Sequence, residues 1–329
     1  LILAGDIGGT KTLLALFSRM ADGSMICVRK QIFVSNEYQK FDELLAAFLT
    51  LDEAISSACF AVAGPVINQR CQLTNLSWYL DAEELKRNLC ITKVKLLNDL
   101  EAMALGMLCL PEKDLLQLNP NAETKRGNVA VIAAGTGLGE AILYWDGRQY
   151  HAMATEGGHC DFAAQTPQQD RLLNFLRKKY HQHVSVERIL SGSGFSDLYD
   201  FLSADDFAPR CSAVPSGKLA VEQGIDRNAV ISNLGIDAED ALCAEVLRLF
   251  VAIYGAESGN LALKCLATGG VYIGGGIGPK IRTALEDGLF IQAFKDKGRF
   301  SSLLNKISIK LALNPQTPLI GASHFFAKT

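Results

Sequence analysis

Along the first third of the chain the apolar period alternates between strand and helix. Residues 1–4, 12–17 and 25–34 are apolar or alternating runs broken by glycine-rich or Asp-Gly-Ser segments, which predicts three consecutive antiparallel strands. Phe41, Leu44, Leu45, Phe48 and Leu49 then recur at i, i+3, i+4, i+7, i+8, one apolar face of an amphipathic helix. Residues 58–63 read as a buried strand ended by Gly64 and Pro65, 81–89 as a polar helix, 93–97 as a strand and 100–110 as a helix, with Asn98 and Asp99 at the junction.

The same order restarts further on. Residues 128–134 and 140–145 are apolar strands joined by a glycine-rich turn, and Asp146-Gly147 turns the chain into a third, 149–154. Helices are expected over 169–180 and 238–266, a buried strand over 268–273 running into GGGIGP, a last strand over 307–313 and a helical tail over 319–327. The chain therefore reads as two copies of a strand-hairpin-then-helix unit, each opening on a glycine-rich turn, offset by roughly 130 residues. Residues 203–237 are polar and irregular, and predict no element.

Composition narrows the class. At about 150 residues per domain, 329 residues suit about two domains. An apolar share of 49% with 20% charged is that of a folded, soluble protein. Thirty-two basic against 35 acidic residues, a net charge of −3, leave no electrostatic footprint for nucleic acid. Nine cysteines never fall into a CxxC or CxC pair, so neither a zinc ribbon nor a disulfide framework is expected, and the thiols suit a reducing compartment, the cytoplasm. No signal-peptide pattern or membrane-spanning run is read. The chain starts at Leu1 and not Met, which leaves a trimmed leader open.

Three glycine-rich turns follow strand ends: Gly5-Asp6-Ile7-Gly8-Gly9-Thr10, Gly135-Thr136-Gly137 and Gly274-Gly275-Gly276. Glycine lets successive N–H groups converge on an anion, as phosphate cradles require, although a single such turn is as readily an ordinary hairpin. No Walker A loop and no GxGxxG occurs, which excludes P-loop and dinucleotide fingerprints. Asp6 ends an apolar strand, where it reads as a turn-stabilising Asx or, beside a phosphate loop, as a magnesium partner through water. Asn98 with Glu101 has the spacing of a helix cap and capping box; Asp99 can instead be the base that takes a hydroxyl proton during phosphoryl transfer, and both readings can hold. Glu156, His159 and Asp161 could form a metal cluster, but the glycines between them suit a tight turn better, and a carboxylate with an imidazole can hydrogen-bond vicinal hydroxyls. Glu187 alone looks like a solvated helix residue. Cys160, beside His159, is expected to be a buried, inert thiol, the sharper alternative being a reachable one that a bulky reagent would block.

Taken together, GDIGGT at 5–10, LLND at 96–99, AGTGLG at 134–139, EGGH at 156–159, HVSVERILSGSG at 183–194, GNLAL at 259–263 and KGRF at 297–300 resemble the bacterial glucokinase family of the actin-like, hexokinase-type ATPase superfamily. The resemblance implies an α/β, two-lobed actin-like ATPase (ribonuclease H-like) fold with duplicated strand-hairpin and helix units. It implies a small domain over 1–109, completed by a C-terminal helix of about 314–329, a large domain over 110–313, and an active site between the lobes. It implies further that Gly5, Asp6, Ile7, Gly8, Gly9 and Thr10 bind ATP phosphates, that Gly135, Thr136 and Gly137 form a second phosphate loop, and that Gly275 and Gly276 lie near the adenosine. Asn98, Asp99, Glu156, His159 and Glu187 would hold the sugar hydroxyls, with Asp99 as the base. The cysteine-rich zinc motif of the related repressor and kinase family is missing, since the next cysteine after Cys160 is Cys211; no zinc is expected.

The activity implied is transfer of the γ-phosphoryl group of MgATP to the 6-hydroxyl of glucose in the cytoplasm, with glucose and MgATP as partners, no nucleic acid, no membrane, and a homodimer left open. The rivals are a kinase for another hexose or an acetamido sugar, a non-catalytic sugar-sensing relative, and an actin-like assembly ATPase, which has no use for Glu156, His159 and Glu187.

Overall fold

A computed structural model describes residues 1–50, 52–73, 76–120, 122, 123, 125–181 and 183–328. The chain divides into two compact units, Leu1–Leu115 with Ala152–Ala154 and Asn314–Thr329, and Leu116–His151 with Thr155–Leu313.

The first unit carries strands β1 (Ile2–Ile7), β2 (Lys11–Arg19), β3 (Met25–Val34), β4 (Ser57–Val62), β5 (Arg70–Gln72), β6 (Tyr79–Asp81) and β7 (Val94–Asn98), with helices α1 (Phe41–Phe48), α2 (Ala82–Asn88) and α3 (Asp99–Met107). Its main sheet runs β3-β2-β1-β4-β7; β1 pairs antiparallel with β2 and parallel with β4, which is parallel to β7. Side chains alternate across a strand, so β1 feeds two cores. Leu3 and Ile7 join Phe41, Leu44 and Phe48 of α1, whereas Ile2 and Ala4 join Ala102 of α3 and Leu319 of the C-terminal helix Thr317–His324. Asp6 has the parity of Ile2 and Ala4, and so belongs to the face that α3 covers. β5 and β6 form a separate short hairpin that the apolar pattern did not signal, since three residues are too few to show a period.

The second unit repeats the frame with β8 (Leu115–Gln117), β9 (Val129–Ala134), β10 (Leu138–Trp145), β11 (Tyr150–Ala154), β12 (Gly270–Gly274) and β13 (Ile309–Ala312), except that Leu115 and Ala152–Ala154 are counted with the first. The order is β11-β10-β9-β12-β13-β8, with β9 antiparallel to β10 and parallel to β12, and β12 parallel to β13. Its core surrounds the long helix Ala241–Lys264, where Phe250 stacks on Phe195 and Tyr254 meets Phe290 edge-on. The segment 203–237, read as irregular, instead contains helices Gly217–Gln223 and Arg227–Ile236, capped by the side chains of Ser216 and Asp226. Buried Arg227 ties the second to Asp200 at 2.6 Å and to the Pro215 carbonyl at 2.9 Å. Those tertiary contacts replace the apolar stripe that a sequence reading looks for. Among the described residues no helix is long and apolar enough to cross a membrane.

Candidate active site

In the first unit the candidate residues gather at the carboxyl ends of parallel strands, where open α/β sheets bind ligands. Ile7, Val62 and Asn98 lie side by side across β1, β4 and β7. Asn98 caps α3: its Oδ1 accepts the Leu100 N–H at 2.9 Å, and Glu101 returns to the Asn98 N–H at 3.1 Å. Its amide nitrogen also donates to the Gly64 carbonyl at 3.1 Å, which holds the junction against the end of β4. Asp99, the first residue of the helix, shares the Leu100 N–H at 2.9 Å through Oδ1. Capping is thus the work of Asn98, and Asp99 is positioned by it. Burial, and secondarily the charge of Asp99, pushes the Asp6 carboxyl up to about 6.

The turn after β1 is held from behind. The Gly8 N–H donates to the Lys11 carbonyl at 3.0 Å, the Gly8 carbonyl accepts from the Ser35 hydroxyl at 2.9 Å, and the Thr10 carbonyl accepts from the Ser35 N–H at 3.0 Å. Among the described residues no acceptor meets the N–H groups of Gly9 and Thr10. Gly5 and Ile7, by contrast, lie inside β1 and are buried; a Cβ on Gly5 would come within 2.7 Å of the Phe60 ring, so this glycine serves packing.

The second unit has a matching turn with different anchors. The Gly135 N–H donates to the Gly137 carbonyl and the Gly192 N–H to the Gly135 carbonyl, each at 2.8 Å. Glu187 Oε2 accepts the Leu138 N–H at 2.9 Å, leaving the Thr136 and Gly137 N–H groups without an acceptor among the described residues. The third glycine turn lies against this one. Gly275 has φ +79°, and a Cβ there would stand 2.2 Å from the Ala134 carbonyl oxygen, while Gly276 has open space around it.

The structure brings Glu156, His159 and Glu187 together. His159 Nε2 is 4.0 Å from Glu156 Oε2, and its Nδ1 is 4.0 Å from Glu187 Oε1. The paired glycines between Glu156 and His159 let the turn Gly157–His159 press on β10: a Cβ on Gly157 would lie 2.0 Å from Glu140 Oε2, and one on Gly158 would lie 2.1 Å from the Leu138 carbonyl. Asp161 is drawn elsewhere, to His183 Nδ1 at 2.8 Å. Among the described residues no group of three or more His, Cys, Asp or Glu could hold a metal ion. Cys160 is exposed and not buried as expected, because Gly158 takes the inward position of the turn.

Two features escaped the sequence reading. Ser35 and Thr12 are fully buried polar residues whose role appears only when β3 is folded beside the first turn. Glu140, with 1% of its surface exposed and Oε1 without a partner among the described residues, did carry a signal, a lone acid inside an apolar strand, the same sign that drew attention to Asp6. Burial, then Glu257, pushes its carboxyl up to about 7, against the opposing pull of Lys264.

The chain matches the family model described as Glucokinase over residues 3–329. A glucokinase of Trichormus variabilis is 39% identical over 339 residues, covering 98% of each sequence. The crystal structure of a glucokinase from an Antarctic psychrotroph is similar with a TM-score of 0.87 at 30% identity, covering 100% of this chain and 99% of that one. A ROK-family glucokinase from Streptomyces griseus, solved with glucose and AMPPNP, has a TM-score of 0.58 at 18% identity, covering 99% of this chain and 98% of that one, and shares the fold. The fold is the actin-like ATPase fold of these sugar kinases, and with a family match from residue 3 to residue 329 the chain belongs to the glucokinase family.

Proposed function

We propose that this protein transfers the γ-phosphoryl group of ATP to the 6-hydroxyl of D-glucose, giving glucose 6-phosphate and ADP as the first step of intracellular glucose use. The supporting observation is the pair of turns at 8–10 and 135–137, each with carbonyls tied back and two neighbouring N–H groups without an acceptor among the described residues. Converging N–H groups suit an anion such as a phosphate. Gly276, with open space around it, leaves room for the adenosine beside Gly275.

In this reading Asp99 takes the proton of the 6-hydroxyl as its oxygen attacks the γ-phosphorus, and the bond from that phosphorus to the ADP oxygen breaks. Asn98 spends its Oδ1 on the cap and one N–H on Gly64, which leaves its second amide hydrogen for the sugar. Glu187 spends Oε2 on Leu138 and keeps Oε1 for a hydroxyl beside His159, while Glu156 completes the set. Mg2+ neutralises phosphate charge in such transfers. Asp6, an oxygen donor crowded by the Asp99 carboxylate, fits a cation that takes few protein ligands and keeps its waters. All nine cysteines are free thiols, which suits residence in the cytoplasm.

The test is a coupled ADP-release assay over a panel of hexoses and acetamido sugars. Glucose is expected to be the best or near-best acceptor. Turnover confined to an acetamido sugar would move the assignment to a different sugar kinase, and no sugar-dependent turnover at all would make the protein a sensor.

A further inference from the structure

We propose that Ser35 is a positioning residue for the nucleotide: its buried hydroxyl and backbone N–H hold the turn at 8–10 in the shape that aims N–H groups at a phosphate. The proposal rests on the reading of that turn as a phosphate cradle. Ser35 directly follows β3 and lies fully buried, its Oγ 2.9 Å from the Gly8 carbonyl oxygen and 2.9 Å from Thr12 Oγ1. A carbonyl can only accept, and a hydroxyl has one proton. The Ser35 proton therefore goes to Gly8, and the Thr12 hydroxyl donates to Ser35. The relay runs in one direction, from Thr12 through Ser35 to Gly8, and each bond in such a chain polarises the next.

The geometry of the amide then fixes the functional group. In a trans peptide the Gly8 carbonyl and the Gly9 N–H lie in one plane and point opposite ways. Pulling the carbonyl in towards Ser35 turns the Gly9 N–H out. The second bond, from the Ser35 N–H to the Thr10 carbonyl at 3.0 Å, fixes the other end of the turn. Packing alone would accept alanine at this position. Alanine would leave the Gly8 carbonyl and the Thr12 hydroxyl without their partner, and buried polar groups resist that loss.

The experiment combines two variants with amide exchange. Ser35→Ala should raise KM for ATP about five- to tenfold, the equivalent of one net hydrogen bond, with KM for glucose unchanged. Thr12→Val keeps the bond from Ser35 to Gly8 but removes the donor behind it, so its rise in KM for ATP should be smaller. In the unmodified protein, exchange of the Gly9 and Thr10 amides should slow when AMPPNP and Mg2+ are added. Slowed exchange with KM for ATP unchanged in both variants would overturn the role of Ser35 and leave the phosphate reading intact. Exchange that does not respond to the nucleotide would overturn the phosphate reading, and the inference with it. A fall in thermal stability without any KM shift would reduce the Ser35 hydrogen bonds to a structural role and overturn the inference.

Discussion

The hairpins that open the two units share a backbone frame and differ in where they carry an acid. Counted from the closing pairs, Ile7 opposite Thr12 and Ala134 opposite Leu138, Asp6 occupies the position of Ala133, and Leu14 that of Glu140. The first unit thus has its acid on the inner strand, one residue from the strand end and on the face covered by α3. The second has it on the outer strand, beneath the turn Gly157–His159, in a slot that a fully buried leucine fills in the other copy. Both carboxyls are pushed upwards by burial, yet their second influence differs: Asp99 for Asp6, Glu257 for Glu140. Duplication supplies the scaffold, and chemistry follows from which strand the acid stands on. One acid is paired with the proposed base; the other lies behind the turn proposed to hold the sugar.

The largest effect expected from this division is at Asp99. Asp99→Asn keeps the Asn98 cap and side-chain volume but removes the base, so kcat should fall by about 10² to 10⁴. Stability should change little, since a carboxylate in a first helical turn contributes about 0.3–1 kcal/mol. Steady-state kinetics and chemical denaturation on the same preparation check this. A stable cap with normal turnover, or lost stability with normal turnover, would remove Asp99 from the chemistry and erase the contrast between the units.

What could be read in advance follows from how local each signal is. The Asn98 and Glu101 spacing foretold the capping box, and the face of Phe41, Leu44, Leu45 and Phe48 is buried as its period implies. The long helix expected over 238–266 begins three residues later, because Asp240 caps it and Ala238 has φ +53°. Glu156, His159 and Glu187 could be singled out as a set through the family motifs; their mutual distances come from the bond between Glu187 and Leu138 and from Gly157 and Gly158, which press on β10. Ser35 could not be found, because its importance is a contact between the end of β3 and a turn more than twenty residues earlier. The helices within 203–237 were marked only by Ser216 and Asp226 as caps and Gly224 as a stop, with too little apolar periodicity to notice.

A smaller effect distinguishes the buried acids by pH. The Glu140 carboxyl, with an ordinary value of 4.5, is pushed up to about 7 in the folded protein. Between those values the folded state holds a proton that the unfolded chain has released, so stability falls as pH rises through the window and is level on either side. The gap corresponds to something on the order of 3 kcal/mol. Glu140→Gln does not titrate. Compared with the parent, it should gain stability between pH 5 and pH 8, whatever constant penalty its buried amide carries, and denaturation midpoints at the two pH values measure that difference. Parallel curves would mean that Glu140 stays ionised and finds a partner, and its slot would then not be the strained counterpart of Leu14.

The smallest effect concerns thiols. Cys27 and Cys90 are exposed in the first unit, Cys160 in the second. Cys160 holds two turns through its backbone: its N–H donates to the Gly157 carbonyl at 2.9 Å and its carbonyl accepts the Val186 N–H at 3.0 Å, so the residue links the turn that ends at His159 to the one that bears Glu187. A bulky maleimide should label all three thiols, and labelling of Cys160 alone should inactivate. Glucose should slow labelling of Cys160 and leave Cys27 and Cys90 unaffected, because only Cys160 adjoins residues proposed to bind the sugar. Cys160→Ser should resist inactivation while keeping kcat within about twofold, as an exposed substitution normally does. Peptide mapping by mass spectrometry, read against residual activity, decides it: equal protection of all three thiols would point to a global change in the protein, and no protection of Cys160 at saturating glucose would detach the turn at 157–159 from the sugar.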